Sequence, residues 1–166
     1  TNVTTATAKT FEVCMTAGST PRVSDLKDAI GGGIVKIFVR SGAQWVLQAD
    51  NTQVNPSNAY FYTLQATGKC PSIKTPLIVS LHTKPANAPT VSPTVTLCPT
   101  AVSNVVSLDA YVTALPAHTL RWYATATATT TSTTPTIDTH VTTKTTVSGY
   151  VVYVNSNGCE SPRAVV

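Results

Sequence analysis

Charge is scarce in this chain: of 166 residues, 11 are Lys or Arg and seven are Asp or Glu. Seven carboxylates dispersed along the sequence do not give the several converging oxygens of a calcium loop. The three histidines, His82, His118 and His140, are far apart, and none stands at metal-ligand spacing with another ligand. Asp25 and Asp28, the closest carboxylates, are placed to solvate the first turns of a short helix and favour its dipole. There is no Gly-x-Ser-x-Gly elbow, and the run Gly31, Gly32, Gly33 lacks the Lys and Ser or Thr that follow in a phosphate-binding loop. No apolar run approaches the roughly 20 residues of a membrane span. Residues 1–5 lack the basic and apolar regions of a signal peptide. These absences predict no enzyme, no metal or cofactor and no membrane insertion.

What is present is said twice. Cys14, Val35-Lys36-Ile37-Phe38, Tyr60-Phe61-Tyr62-Thr63 and Gly68-Lys69-Cys70-Pro71-Ser72 recur in order as Cys98, Leu120-Arg121-Trp122-Tyr123, Tyr150-Val151-Val152-Tyr153 and Gly158-Cys159-Glu160-Ser161-Pro162. The period is 84 residues from Cys14 to Cys98 and 89 from Cys70 to Cys159, which predicts two tandem domains. The proline-stiffened stretch at 84–89 serves as linker, so the domains are expected at 1–86 and 87–166. Units of that size bury a modest core and gain from a covalent restraint.

Each copy carries two cysteines, and neither pair has the close spacing of a zinc site. Disulfides are the better reading, and they place the chain outside a reducing cytosol. Four cysteines allow three pairings; repeat symmetry selects Cys14 with Cys70 and Cys98 with Cys159.

Runs rich in β-branched and aromatic residues predict strands at 11–15, 34–40, 44–48, 60–66 and 77–81 in the first copy. The second copy repeats them at 94–98, 119–124, 141–147, 149–154 and 164–166. One short helix is expected at 24–30, capped by Ser24 and ended by the glycine run. Many short strands without a long helix predict an all-β chain of two antiparallel sandwiches. Threonine replaces charge on the surface, filling half of the positions from 119 to 146. Its branched carbon suits a pleated strand while its hydroxyl stays wet.

Leu120-Arg121-Trp122-Tyr123, a Thr-rich connection and the ending Asn157-Gly158-Cys159-Glu160-Ser161 resemble the immunoglobulin-like repeats of large secreted surface proteins and adhesins of Bacteroidetes. The first copy departs from the pattern, lacking the tryptophan in 35–38 and the glutamate after Cys70. The resemblance implies two immunoglobulin-like β-sandwiches, an extracellular stalk, spacer or adhesive role and no catalytic residues. The antibody arrangement does not fit, because Tyr150 precedes Cys159 by nine positions.

The basic excess lies in the first copy. Lys36 and Arg40 alternate along one strand, on its solvent face, where acidic glycans or an anionic cell surface would meet them. The competing reading is a solvated face that keeps a β edge from aggregating. Trp45 is read two ways as well: it shares a face with Leu47, which suits a core, and it stands between Gln44 and Gln48, which suits a platform for a sugar ring. Nucleic acid is not expected, since basic residues do not alternate with stacking aromatics along one stretch.

Residues Val3, Thr4, Thr5, Ala6, Thr7 and Ala8 form a Thr-rich arm with strand composition ahead of Cys14. The second copy's last strand is shorter than the first's. Together they suggest a filament subunit whose arm adds to a neighbouring protomer's sheet edge. The leading expectation is a non-enzymatic extracellular structural or adhesion module, with the filament subunit and a carbohydrate-binding accessory module as alternatives. Its expected partners are neighbouring domains or protomers and glycans.

Overall fold

The computed structural model describes residues 3–92, 94–141 and 143–166. They form a mostly β protein with antiparallel sheets, divided into two units, Thr1–His82 and Thr83–Val166. The division falls at residue 82, against the expected 86.

In unit 1, β1 (Lys9–Met15), β2 (Ile34–Ser41), β3 (Gln44–Leu47), β4 (Tyr60–Gln65) and β5 (Thr75–Thr83) make one sheet in the order β1-β5-β4-β2-β3. The helix α1 (Val23–Ile30) packs on one face of it. Alternation decides which face. Val35, Ile37, Tyr60, Tyr62 and Leu77 point inward and join Val23, Leu26 and Ile30 of the helix in one buried cluster. The layer opposite this sheet is thus supplied largely by a helix, where a second sheet was expected.

The helix starts earlier than Ser24. Its first amides are satisfied by the 50–52 turn, Val23 N donating to Thr52 O (2.9 Å) and Ser24 N to Asp50 O (3.1 Å). Asp25 accepts from the backbone N–H of Arg22, the cap residue (2.7 Å). Tertiary hydrogen bonds therefore replace the local serine cap. At the far end Gly33 is obligatory: its φ is +147°, and a Cβ there would lie 2.3 Å from the carbonyl oxygen of Gln65.

In unit 2, β6 (Val105–Ser107) pairs β8 (Thr136–Asp138), and β7 (Thr119–Tyr123), β9 (Tyr150–Val154) and β10 (Ala164–Val165) form a second sheet in the order β10-β9-β7. A short 3-10 turn, Leu108–Tyr111, follows β6. Both faces of the three-stranded sheet are covered. Trp122 and Val151 pack with Leu108 and Val112 on one side, and Tyr123, Val152 and Val154 form a separate cluster on the other. That is why the unbroken apolar run of β9 is buried almost throughout.

Residues 94–98 and the described part of 141–147 lie in no strand, although their composition predicts one; Thr142 is outside the described residues. Threonine fits a pleated surface, yet a strand also needs a ladder partner. Among the described residues these segments make no backbone hydrogen bond to another strand.

The repeat survives at atomic detail. In unit 1 Ser72 Oγ accepts from Leu64 N (3.0 Å) and donates to Ile73 O (2.8 Å), while Ser72 N donates back to Leu64 O (2.8 Å). In unit 2 Ser161 Oγ accepts from Tyr153 N (2.9 Å) and donates to Pro162 O (2.8 Å), with Ser161 N donating to Tyr153 O (2.9 Å). Both serines are 7% exposed. Ser72→Ala or Ser161→Ala removes the hydroxyl acceptor of a strand N–H, that of Leu64 or Tyr153, so each is expected to cost about 1–3 kcal/mol in urea denaturation. The loss should appear in the mutated unit and spare the other.

The cysteines depart from repeat symmetry. Cys14 and Cys159 are disulfide-bonded, whereas Cys70 and Cys98 are exposed free thiols. The expected pairs Cys14 with Cys70 and Cys98 with Cys159 are therefore not formed. Cys98 sits in the segment that lacks a strand partner, so its sulfur is not carried into the unit 2 core, where Cys159 is fully buried.

Candidate functional site

The open face of the unit 1 sheet gathers residues of one parity. Opposed across the ladders are Arg40 with Trp45, Phe38 with Leu47, Phe38 with Phe61 and Lys36 with Thr63. Partners directly opposite share a face, and this face is the one turned away from the buried cluster. Trp45 is 39% exposed and Leu47 56% exposed, and Ile34 on β2 and Ile78 on β5 are exposed as well.

The aromatic and cationic groups interlock. Trp45 meets Phe61 edge to face, ring centroids 4.7 Å apart. The Lys74 ammonium lies 4.9 Å from the Phe38 ring centroid and 5.4 Å from that of Trp45. The Arg40 guanidinium lies 5.6 Å from the Trp45 ring and donates from Nε to Gly42 O (3.2 Å). Each exposed cation–ring contact is worth about 0.5–1 kcal/mol, enough to hold side chains in place while leaving the charge available. Lys36, two residues before Phe38, extends the basic edge along β2.

Carboxylates are kept away from these cations. Asp25 and Asp28 belong to the helix on the other side of the sheet, and Asp50 pairs with the helix residue Lys27. Glu12 lies on β1, at the opposite edge from β3, three strand spacings or about 14 Å from β2, which carries Lys36 and Arg40. Among the described residues Lys36, Arg40 and Lys74 have no acidic partner.

Of the residues expected to contact a ligand, Trp45, Lys36 and Arg40 all fall on this face. The core reading of Trp45 and Leu47 is corrected: the apolar residues of that parity face solvent, because the helix occupies the other side. Phe38, Phe61 and Lys74 were missed. Phe38 shares its parity with Lys36 and Arg40, a signal present in the sequence. Lys74 lies just before β5, outside every predicted strand, and only the fold brings it over the rings.

The arm is not spare. Val3 bridges to Cys70, Thr4 N donates to Cys70 O (3.0 Å), and Thr4 Oγ1 accepts from Ala66 N (3.0 Å). Ala6 packs on the unit 1 core, and the Thr7 carbonyl accepts from the Tyr62 hydroxyl. Residues 3–8 thus find partners within their own unit.

Unit 2 has a polar cluster and a groove. Glu160 ion-pairs with Arg121 and accepts from Tyr123 OH (2.6 Å), and the Arg163 guanidinium stacks 3.9 Å from the Tyr123 ring centroid. Burial pushes the Glu160 carboxyl up, but hydrogen bonds from Tyr123 and Arg121 and the charges of Arg121 and Arg163 outweigh it, leaving the pKa below the usual value. Asp138 is also held low, first by the His140 amide and then by Ser103. A carboxylate with a depressed folded pKa stabilises fully above its unfolded value, about 4 for Asp or Glu, and loses that contribution as pH falls through the folded value. The urea midpoint of unit 2 should therefore hold steady above about pH 5 and drop below about pH 4, and Glu160→Gln should flatten that drop. The cluster is structural: its groups are satisfied by one another.

The groove, about 530 Å³, is lined by Val95, Leu97, Leu108, Tyr111, Ile137 and Val147 among others, along the segments 94–98 and 141–147, whose described residues lie in no strand. Among the described residues no three His, Cys, Asp or Glu side chains gather as a metal site, and no helix is long and apolar enough to cross a membrane. No protein-family model matches the chain, and no curated protein matches it.

Proposed function

We propose that this chain is a non-enzymatic extracellular adhesion module, two immunoglobulin-like units of the kind found in secreted surface proteins of Bacteroidetes, which binds through the open face of the unit 1 sheet. The observation that carries the reading is the contrast between the two sheets. The unit 2 sheet is covered on both faces, whereas unit 1 leaves one face open with Trp45, Phe38 and Phe61 among three unpaired cations. Solvent-facing aromatic and apolar groups in a connected patch mark a contact surface rather than a solvated one. The two-sheet plan draws its support from unit 2, with its three-stranded and two-stranded sheets; in unit 1 a helix takes the second layer's place. The extracellular location is supported by the disulfide.

The test is adhesion under flow. Beads coated with the protein should be retained on a glycan-coated biological surface, and Trp45→Ala beads should be washed off. Equal retention of both overturns the reading.

A second reading, a filament subunit assembled by strand addition, is favoured by the unit 2 groove, whose flanking segments make no backbone–backbone hydrogen bond to another strand among the described residues. The arm would have to leave its contacts with Cys70 and Ala66 to serve as donor. Electron microscopy of concentrated protein decides, since dispersed monomers eliminate the filament.

A further inference from the structure

We infer that the ligand of the open face is an acidic polysaccharide, a linear chain whose sugar rings lie on Trp45 and Phe38 and whose carboxylates meet Arg40, Lys74 and Lys36. This rests on the adhesive reading and names what is bound.

The argument is one of complementary chemistry. An exposed tryptophan ring offers a flat apolar surface, and the C–H face of a pyranose ring fits it. The cations surrounding the rings are not neutralised by any acidic side chain among the described residues, and the unit's helix and 50–52 turn hold three of its four carboxylates on the far side of the sheet. The face therefore presents positive potential to anything approaching it. Lys36 and Arg40, four residues apart on one strand, are separated by about 13 Å. Charge spaced along a line, with apolar surface between, matches a polymer that alternates ring faces and carboxylates.

The alternatives fit less well. A membrane surface is recognised by clusters of about four to eight basic residues, and three are present here. A single-stranded nucleic acid calls for a basic groove that follows a phosphate at every nucleotide, whereas this surface is an open sheet face with Lys74 and Arg40 set against the aromatic rings and Lys36 further along β2. A neutral glycan would leave the three cations without a function.

Four probes are measured by affinity electrophoresis and calorimetry with the full chain: polygalacturonate, its methyl ester, phosphatidylserine vesicles and oligothymidylate. Polygalacturonate is expected to bind and the ester, with the same rings and no charge, to fail. Trp45→Ala should weaken binding about tenfold, with Trp45→Phe recovering part of the loss. Arg40→Gln with Lys74→Gln should weaken it by about tenfold or more. All variants change exposed or half-exposed groups, and unchanged urea midpoints will show that they fold. Wild-type affinity in folded Trp45→Ala and in the double variant overturns the inference. So does equal binding of the vesicles or of oligothymidylate, which would mean that the face reads charge alone. Bead adhesion that depends on Trp45 while no acidic polymer binds overturns the ligand class and leaves the adhesive reading standing; polymer binding without bead adhesion does the reverse.

Discussion

Trp122→Ala is expected to unfold unit 2 under conditions in which the native chain is stable, at a cost of about 3–5 kcal/mol. Trp122 is 2% exposed and lies in the cluster with Leu108, Val112 and Val151. Its indole N–H donates to Asp109 Oδ1 (2.7 Å), and the mutation would remove that donor, leaving the carboxylate with the Thr134 hydroxyl, which donates to Oδ2 (3.3 Å). The cavity cannot close easily. Gly149 is packed so tightly that a Cβ there would lie 2.7 Å from Pro135 Cγ and 3.1 Å from the indole ring, so the neighbouring chain already stands as near as it can. A unit of about 80 residues has a total stability of roughly 4–12 kcal/mol, so a loss of about 3–5 kcal/mol takes roughly a quarter of it at the least. Hydrogen exchange read separately at β9 and β4 amides checks this: β9 protection should collapse while β4 protection persists. Trp122→Phe, which keeps a ring and drops the N–H, should cost about 1–3 kcal/mol. A Trp122→Ala loss below about 1 kcal/mol would contradict the packing described.

The strands of unit 1 were legible because each carries its own signal. β2 and β4 alternate or cluster branched and aromatic residues between glycine and asparagine turns, and the predicted bounds 34–40 and 60–66 differ by one residue from those observed. Which face those strands bury was not legible, since parity fixes two faces without naming the covered one. The helix decides that, and its eight residues gave only a weak signal. Parity therefore leaves Trp45 open between a core and a surface position, and it is found on the surface. In unit 2 threonine misled in two ways. It predicted strands at 94–98 and 141–147, where the described residues have no ladder partner, and it hid β6 and β8, three residues each, within Thr-rich or turn-rich sequence. The motif ending in Glu160 was visible as a pattern. Its physical content, a carboxylate held between Arg121 and Tyr123, depends on groups 37 and 39 residues away. The open face of the unit 1 sheet was half readable: Trp45, Lys36 and Arg40 from alternation, Lys74 only from the fold.

The cysteines give the second large effect. Native protein treated with iodoacetamide should take two labels, at Cys70 and Cys98, which are exposed and free. Reduction in denaturant should raise the number to four, exposing Cys14 and Cys159. Repeat symmetry predicts instead that the native protein takes none, so the count separates two covalent structures of the same chain. Cys159→Ala should lower stability by about 2–5 kcal/mol, the usual loss when a native disulfide is removed from a small domain. Part of that cost is local. Cys159 is fully buried, its amide is held by Asn155 Oδ1 (3.0 Å), and the same oxygen accepts from Asn157 N (3.1 Å), so the turn that carries Glu160 and Ser161 is built around it. Cys98→Ala, at an exposed thiol, should change the unfolding free energy by less than about 0.5 kcal/mol. If Cys98→Ala proves as costly as Cys159→Ala and native protein resists alkylation, the covalent framework is the symmetric one, and the Thr-rich segment at 94–98 is then pinned to the turn at Cys159.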